Sequence, residues 1–333
     1  ATLVSGNSIE NSFYKLTVSA KGSIESVQSK KHNGRQFIKP INGRTANDLG
    51  GIPSGSITVE NTGPVSTTIL INSGTVLNHS TRITLFGGID RIDIKNVINQ
   101  NFTSTETWSF GFDVPGHILH HEEVGSILRA RKNSDGGHYS DRNANYDWLT
   151  LNHFADISNS DYGVTLSNAD CFFMKTGSST VSTLDKSTPQ ISVLAGGRIY
   201  NTGLPVQGGD NTFIQRFALK THQGYNPASS MRFSLEHQNP LVTGVVTGGY
   251  LLPESEMSFI KIDNPDIFLW ALKPSEEGIE NGVIARLWNL SDISETFNIA
   301  SDYPIISAEY VTLIEKPVSD VSLTGNSISG NIS

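Results

Sequence analysis

Cysteine is nearly absent from this sequence: Cys171 is the only one among 333 residues. No disulfide can form within the chain, and zinc sites built on cysteine pairs are excluded. A chain without such staples fits a reducing compartment, so a cytoplasmic location is the expectation. Cys171 itself stands in NADCFFMK, an apolar, strand-like setting where a thiol is expected to pack as a small hydrophobe. Long apolar runs are missing as well. Nothing approaches the roughly 18 residues of a membrane-spanning helix, and no membrane partner is expected. Positive charge is scarce: 24 Lys and Arg face 32 Asp and Glu, a net charge of −8. The most basic stretch, RARK at 129–132, is short and lacks interleaved aromatics, so no nucleic-acid partner is expected. There is no glycine-rich loop ending in Gly-Lys-Ser/Thr, no strand-linked G-x-G-x-x-G and no G-x-S-x-G elbow.

What the chain does have is a period of two. STTILINSG (66–74), STRITLFGG (80–88), DRIDIKNVIN (90–99) and YGVTLSN (162–168) alternate or are β-branched, with Gly, Asn, Asp or Pro between them. Amphipathic helical patterns are scarce, and 31 glycines supply turns. The expected fold class is all-β, built of packed antiparallel sheets. GGYLLPESEMS (248–258) interrupts the pattern, and shorter strands follow it. This predicts a large β-domain over 1–250 and a small β-sandwich over 251–333. Asn78, Asn101, Asn289 and Asn331 each open an Asn-X-Ser/Thr triplet, a pattern expected by chance in a chain this rich in Ser and Asn.

The densest group of ligand-type side chains is GHILHHEEVG, 116–125. On a helix, the spacing of His117 and His121 would put two imidazoles on one face, as zinc helices do. On a strand the same spacing separates them by about 13 Å, too far to share one ion. Pro115, Gly116 and Gly125 bracket the segment. It is expected to be a polar strand facing solvent or an interface, which leaves His117 and His121 as weak metal candidates. Glycosidic chemistry would need two carboxylates about 5–9 Å apart. Asp135, Asp141, Asp147, Asp156 and Asp161 share one polar region, where each can equally serve a turn or a strand end.

The stretch EEVGSILRARKNSDGGHYSDRNANYDWLTLNHFADISNSDYGVTLSNADCFF (122–173) is the most informative. Gly125 with Arg129, His138, Tyr146-Asp147-Trp148, Phe154-Ala155-Asp156-Ile157-Ser158 and Tyr162-Gly163-Val164 stand in order within it. IENSFYKLTVSAKGSIESVQSKKHNGRQFI (9–38), FALKTHQG (217–224), NPLV (239–242) and WALKPSEEGIENGVIARLWN (270–289) extend the pattern along the chain. Together they resemble the C-terminal β-region of the class II α-mannosidases, zinc-dependent retaining glycoside hydrolases. The final TGNSISGNIS departs from the closing strand that the family would lead one to expect.

The resemblance implies a supersandwich fold like that of galactose mutarotase, followed by a small β-sandwich. In that family the catalytic aspartate and the zinc site belong to a separate N-terminal domain. It therefore implies no catalytic residue and no cofactor in these residues, with zinc expected in that other domain. The implied role is a non-catalytic support for a catalytic domain, the expected partner, with contact to mannose-type carbohydrate a further possibility. Arg129, His138, Asp147, Trp148, Asp156 and His222 are the motif positions suited to such contact, since arginine and carboxylate beside tryptophan can hold sugar hydroxyls and an apolar sugar face. The alternatives are a free-standing carbohydrate-binding module and a sugar-modifying enzyme, an epimerase or lyase, on the same fold.

Overall fold

The computed structural model describes residues 3–197, 209–245, 247–248 and 257–333. These form two compact units, Ala1–Asn226 with Ser230–Pro240, and Leu241–Ser333 with Pro227–Ser229. The boundary expected at 250/251 lies outside the described residues.

The larger unit is built on two antiparallel sheets. One has nine strands in the order Ser126–Arg129, Ile118–Glu123, Phe154–Ser158, Gly163–Asn168, Phe213–His222, Ile92–Ile98, His79–Phe86, Ser66–Ser73 and Gly55–Thr62. The other has ten, running from Leu3–Ser5 through the hairpin Tyr14–Val18/Ile24–Ser29 to Glu106–Gly111, Gln190–Gly196, Phe173–Thr176 and Leu149–Thr150. Alternation decides which side chains point inward. In His79–Phe86 the residues His79, Thr81, Ile83 and Leu85 are buried while those between them are half-exposed. The inner faces of both sheets merge into one core, in which Phe110 of one sheet meets Phe217 of the other edge to face at 5.3 Å. Polar side chains cross the same interior: Trp108 Nε1 donates to Gln215 Oε1 at 2.6 Å, and the Asn47 and Asn96 amides bond reciprocally at 3.0 and 2.7 Å. All-β architecture with large antiparallel sheets is thus what the strand periodicity predicted.

Two strands depart from simple alternation. Phe154–Ser158 and Gly163–Asn168 are buried at every position, so their outer face is covered too. Part of the cover is a helix, Pro227–Gln238, which the periodicity did not reveal. Ser230 Oγ lies 3.2 Å from Thr165 Oγ1, and His237 Nδ1 lies 2.8 Å from Ser167 Oγ. The positions it buries include Ser230 and Ser234, so no apolar stripe marks it in the sequence. Its local signals are proline at the first helical position and Asn239-Pro240 just beyond its end.

The smaller unit holds a four-stranded sheet in the order Ile260–Ile262, Glu295–Ser301, Ser327–Ile332, Ser322–Thr324, and two hairpins, Ile267–Pro274/Val283–Asn289 and Glu309–Val311/Pro317–Asp320. Ile267, Phe297 and Ile299 are its buried centre. The SISGNI segment, whose pattern departs from expectation, is paired on both sides.

Ile83 is fully buried in the larger core. Ile83→Ala is expected to lower unfolding free energy by about 2–5 kcal/mol through lost burial and a residual cavity. Urea unfolding followed by tryptophan fluorescence checks this, and a loss below about 1 kcal/mol would mean the site is not packed as described.

Candidate functional site

Strand register brings Asp156 and His222 together across 66 residues of sequence. Asp156 pairs with Thr165 on the next strand, Thr165 pairs with Lys220 on the third, and His222 lies two residues further on, opposite Gly163. The fully buried Asp156 carboxylate accepts three bonds at Oδ2: from Thr165 Oγ1 at 2.6 Å, Ser230 Oγ at 3.1 Å and His222 Nε2 at 2.8 Å. The other imidazole nitrogen, Nδ1, faces the Gln223 carbonyl. Both ring nitrogens therefore face acceptors, and only the doubly protonated imidazolium can donate to both.

The electrostatics agree. Burial by itself lowers the His222 pKa, but the charge and hydrogen bond of Asp156, with the Gln223 and Gly224 carbonyls, outweigh it and leave it raised. Burial raises the Asp156 pKa, but the His222 charge, with bonds from His222, Thr165 and Ser158, outweighs that and holds it low. Gly163 makes room for the pair. A Cβ there would lie 2.6 Å from His222 Cε1 and 2.4 Å from the Ser158 Cβ.

A pocket of about 300 Å³ opens beside this pair, lined by Lys31, His32, Asp90, Lys220, Thr221, His222 and Gln223. Lys31 is ion-paired to Asp90, whose Oδ1 also accepts the Tyr14 hydroxyl at 2.6 Å. Ser29 Oγ accepts from Thr221 Oγ1 at 2.8 Å and lies 2.9 Å from His32 Nδ1. Burial lowers the His32 pKa, and a hydrogen bond to the His222 backbone offsets part of that. Lys220 Nζ lies 5.7 Å from the Phe233 ring centre. Sequence reasoning named neither Lys220 nor His32. The signal for Lys220 was present, because residues two apart on a strand share a face and Lys220 precedes His222 by two in FALKTHQG.

The other sequence candidates fall elsewhere. Arg129 and His138 bond to each other: Arg129 N donates to His138 Nδ1 at 3.0 Å, and His138 N to the Arg129 carbonyl at 3.2 Å. The Arg129 guanidinium donates to the Gly136 carbonyl, which closes that loop on itself. Asp147 pairs with Lys175, whose ammonium lies 5.8 Å from the Trp148 ring centre. Trp148 is half-buried, and a cation stands over its ring. The remaining carboxylates are engaged separately, Asp135 by Lys186, Asp141 by Ser134 and Asp161 by Ser160.

GHILHHEEVG is a strand over Ile118–Glu123, as expected, so helical presentation of His117 and His121 does not occur. The expectation that it faces solvent is corrected: His117, His121 and Glu122 are all buried. Strand alternation assigns side chains to two faces but does not reveal that both are covered. Burial pulls His117 and His121 down to about 4, which leaves them neutral near pH 7. His121 Nε2 meets the Tyr139 hydroxyl at 2.9 Å, and Glu122 Oε2 accepts from His153 N at 3.0 Å and meets His153 Nδ1 at 2.8 Å. Among the described residues no three His, Cys, Asp or Glu side chains converge as a metal site. Cys171 is buried, in line with its apolar surroundings.

The Asp156–His222 pair makes stability depend on pH in a defined way. The part carried by His222 is present below about 6.5 and is lost as pH rises through its raised native value. The part carried by Asp156 is present above about 3.9 and is lost as pH falls through its lowered native value. Asp156→Asn is expected to cost about 3–5 kcal/mol and to flatten both flanks of the stability profile. Urea titrations across this range check it, and a profile parallel to that of the unaltered protein would contradict the pairing. Gly163→Ala is expected to destabilise in the same assay, because its Cβ displaces the His222 ring.

With the geometry in place, comparison with known proteins adds the following. Residues 266–333 match the glycosyl hydrolases family 38 C-terminal beta sandwich domain. No curated protein matches the chain in sequence. Among solved structures, the chain is similar to a glycosyl hydrolase family 38 protein from Enterococcus faecalis at 13% identity and TM-score 0.68, covering 99% of this chain and 44% of that one. It is also similar to an alpha-mannosidase from Enterococcus faecalis V583 at 15% identity and TM-score 0.69, covering 99% of this chain and 42% of the other. A galactose mutarotase-like protein from Lactobacillus casei aligns over 67% of this chain at 12% identity and TM-score 0.41. The chain thus spans less than half the length of the family 38 structures whose fold it shares, and the sequence resemblance to the family's C-terminal β-region holds.

Proposed function

We propose that this chain is the C-terminal β-portion of an α-mannosidase-type glycoside hydrolase and that it braces a catalytic domain instead of performing the chemistry. The observation that carries this reading is the match of residues 266–333 to the family's C-terminal beta sandwich domain, joined to a shared fold over 99% of the chain. The site geometry supports a bracing role. The conspicuous carboxylates are held by lysine, imidazolium or hydroxyl groups of the chain itself. Asp156 is fully buried and spends its charge on His222 and its hydroxyl donors, so it is not presented to a substrate. No nucleophile and no zinc ligand is assigned here; in this reading both belong to the catalytic domain, and mannosides are the substrate class of the whole protein.

A free-standing carbohydrate-binding module is the second reading, favoured by the half-buried Trp148 beside Asp147 and Lys175. Two measurements separate them. The purified chain is expected to leave an aryl α-mannoside intact, while the full-length product of its gene cleaves it in the presence of zinc. Calorimetry of the chain against mannose-type oligosaccharides is expected to show no heat of binding. A full-length product without hydrolase activity, or a chain that binds the oligosaccharides by itself, would contradict the bracing role.

A further inference from the structure

The pocket beside His222 gathers positive charge in an otherwise acidic protein. Lys220 and His222 project from one face of the strand Phe213–His222, two residues and about 7 Å apart along it. Lys31 reaches the same pocket from the turn after Ile24–Ser29. The charges can be taken in turn. Lys31 is neutralised by Asp90. His222 is held as a cation by the arrangement of acceptors around its two nitrogens, and Asp156 balances it from the buried side. Lys220 forms no ion pair among the described residues, and its ammonium stands 5.7 Å from the centre of the Phe233 ring. The residues lining the pocket therefore include one cation more than the paired carboxylates balance, and its side chain is half-buried.

The carboxylate that lines the pocket is already paired. Both Asp90 oxygens are already engaged, Oδ1 by the Tyr14 hydroxyl and Oδ2 by Lys31. Both His222 nitrogens are spent as well, so the ring contributes its charge to a ligand and no lone pair. A site with an unbalanced ammonium, a fixed imidazolium and a carboxylate already paired favours an anion over a metal cation. A volume of about 300 Å³ is at the small end of ligand pockets.

We propose that this pocket binds a small oxyanion ligand, with Lys220 as its direct charge partner and His222 as a fixed positive wall. The ligand is of the size of inorganic phosphate or a singly phosphorylated sugar. This goes beyond the bracing role and does not depend on it, since the pocket is formed by residues 31–223 alone.

The test is titration of the complete chain with inorganic phosphate at constant ionic strength, read by calorimetry and by amide shifts of Lys220 and Gln223, with a hexose 6-phosphate as a second arm and chloride as control. Saturable binding of phosphate is expected, weakened about tenfold or more by Lys220→Met and retained by Lys220→Arg. Tighter binding of the hexose phosphate than of phosphate would identify a sugar ester, and equal binding would identify the free anion; either sustains the site. Lys220→Met should unfold at the same urea concentration as the unaltered protein, so a folding defect is separable. No saturation by either anion, or equal binding by Lys220→Met, would overturn the proposal.

Discussion

A carboxylate without access to water sets the terms for this fold. Asp156 lies in a strand buried on both faces, where an isolated negative charge would cost several kcal/mol. The structure answers with a cation and hydroxyls drawn from three other segments: His222 from a strand two places away, Thr165 from the strand between, and Ser230 from the helix above. Each of these is a condition on the rest of the chain. The register of three strands must be right for Asp156, Thr165 and His222 to meet, because a slip of one residue would turn each side chain to the opposite face. The helix must lie where Ser230 can reach, and Gly163 must lack a side chain for the imidazole to fit.

The same requirement connects fold to site. His222 is charged because of what surrounds it, and that charge becomes the wall of the pocket that also contains Lys220. The carboxylate itself stays sealed beneath. In a hydrolase, a carboxylate must be free to donate a proton or attack a sugar carbon. Here Asp156 is fully buried, and its Oδ2 accepts from three donors of its own chain. The similarity to solved family 38 structures extends over 99% of the chain, and the last 68 residues, 266–333, match that family's C-terminal beta sandwich domain.

Much of the fold was legible in the sequence. The period of two in RITLF and IDIKNVI assigns strands and inward faces, and the resemblance in FADIS and FALKTHQG singles out Asp156 and His222. Their partnership was not legible, because it depends on the pairing of strands 66 residues apart, which no local pattern encodes. GHILHHEEVG misleads in an instructive way. Its composition reads as polar and therefore exposed, yet His121 and Glu122 are fully buried, with His121 Nε2 against the Tyr139 hydroxyl and Glu122 Oε2 against His153. The helix Pro227–Gln238 was hidden for the complementary reason. It docks partly through serines onto polar strand positions, so burial there leaves no hydrophobic stripe.

The central claim is that His222 is an imidazolium locked between Asp156 and the Gln223 carbonyl. The most direct measurement is the nitrogen NMR spectrum of His222 through neutral pH. Two protonated ring nitrogens that persist above the ordinary histidine pKa of about 6.5, and revert to ordinary titration in Asp156→Asn, are the result this account predicts. A single neutral tautomer at pH 7 in the unaltered protein would contradict it.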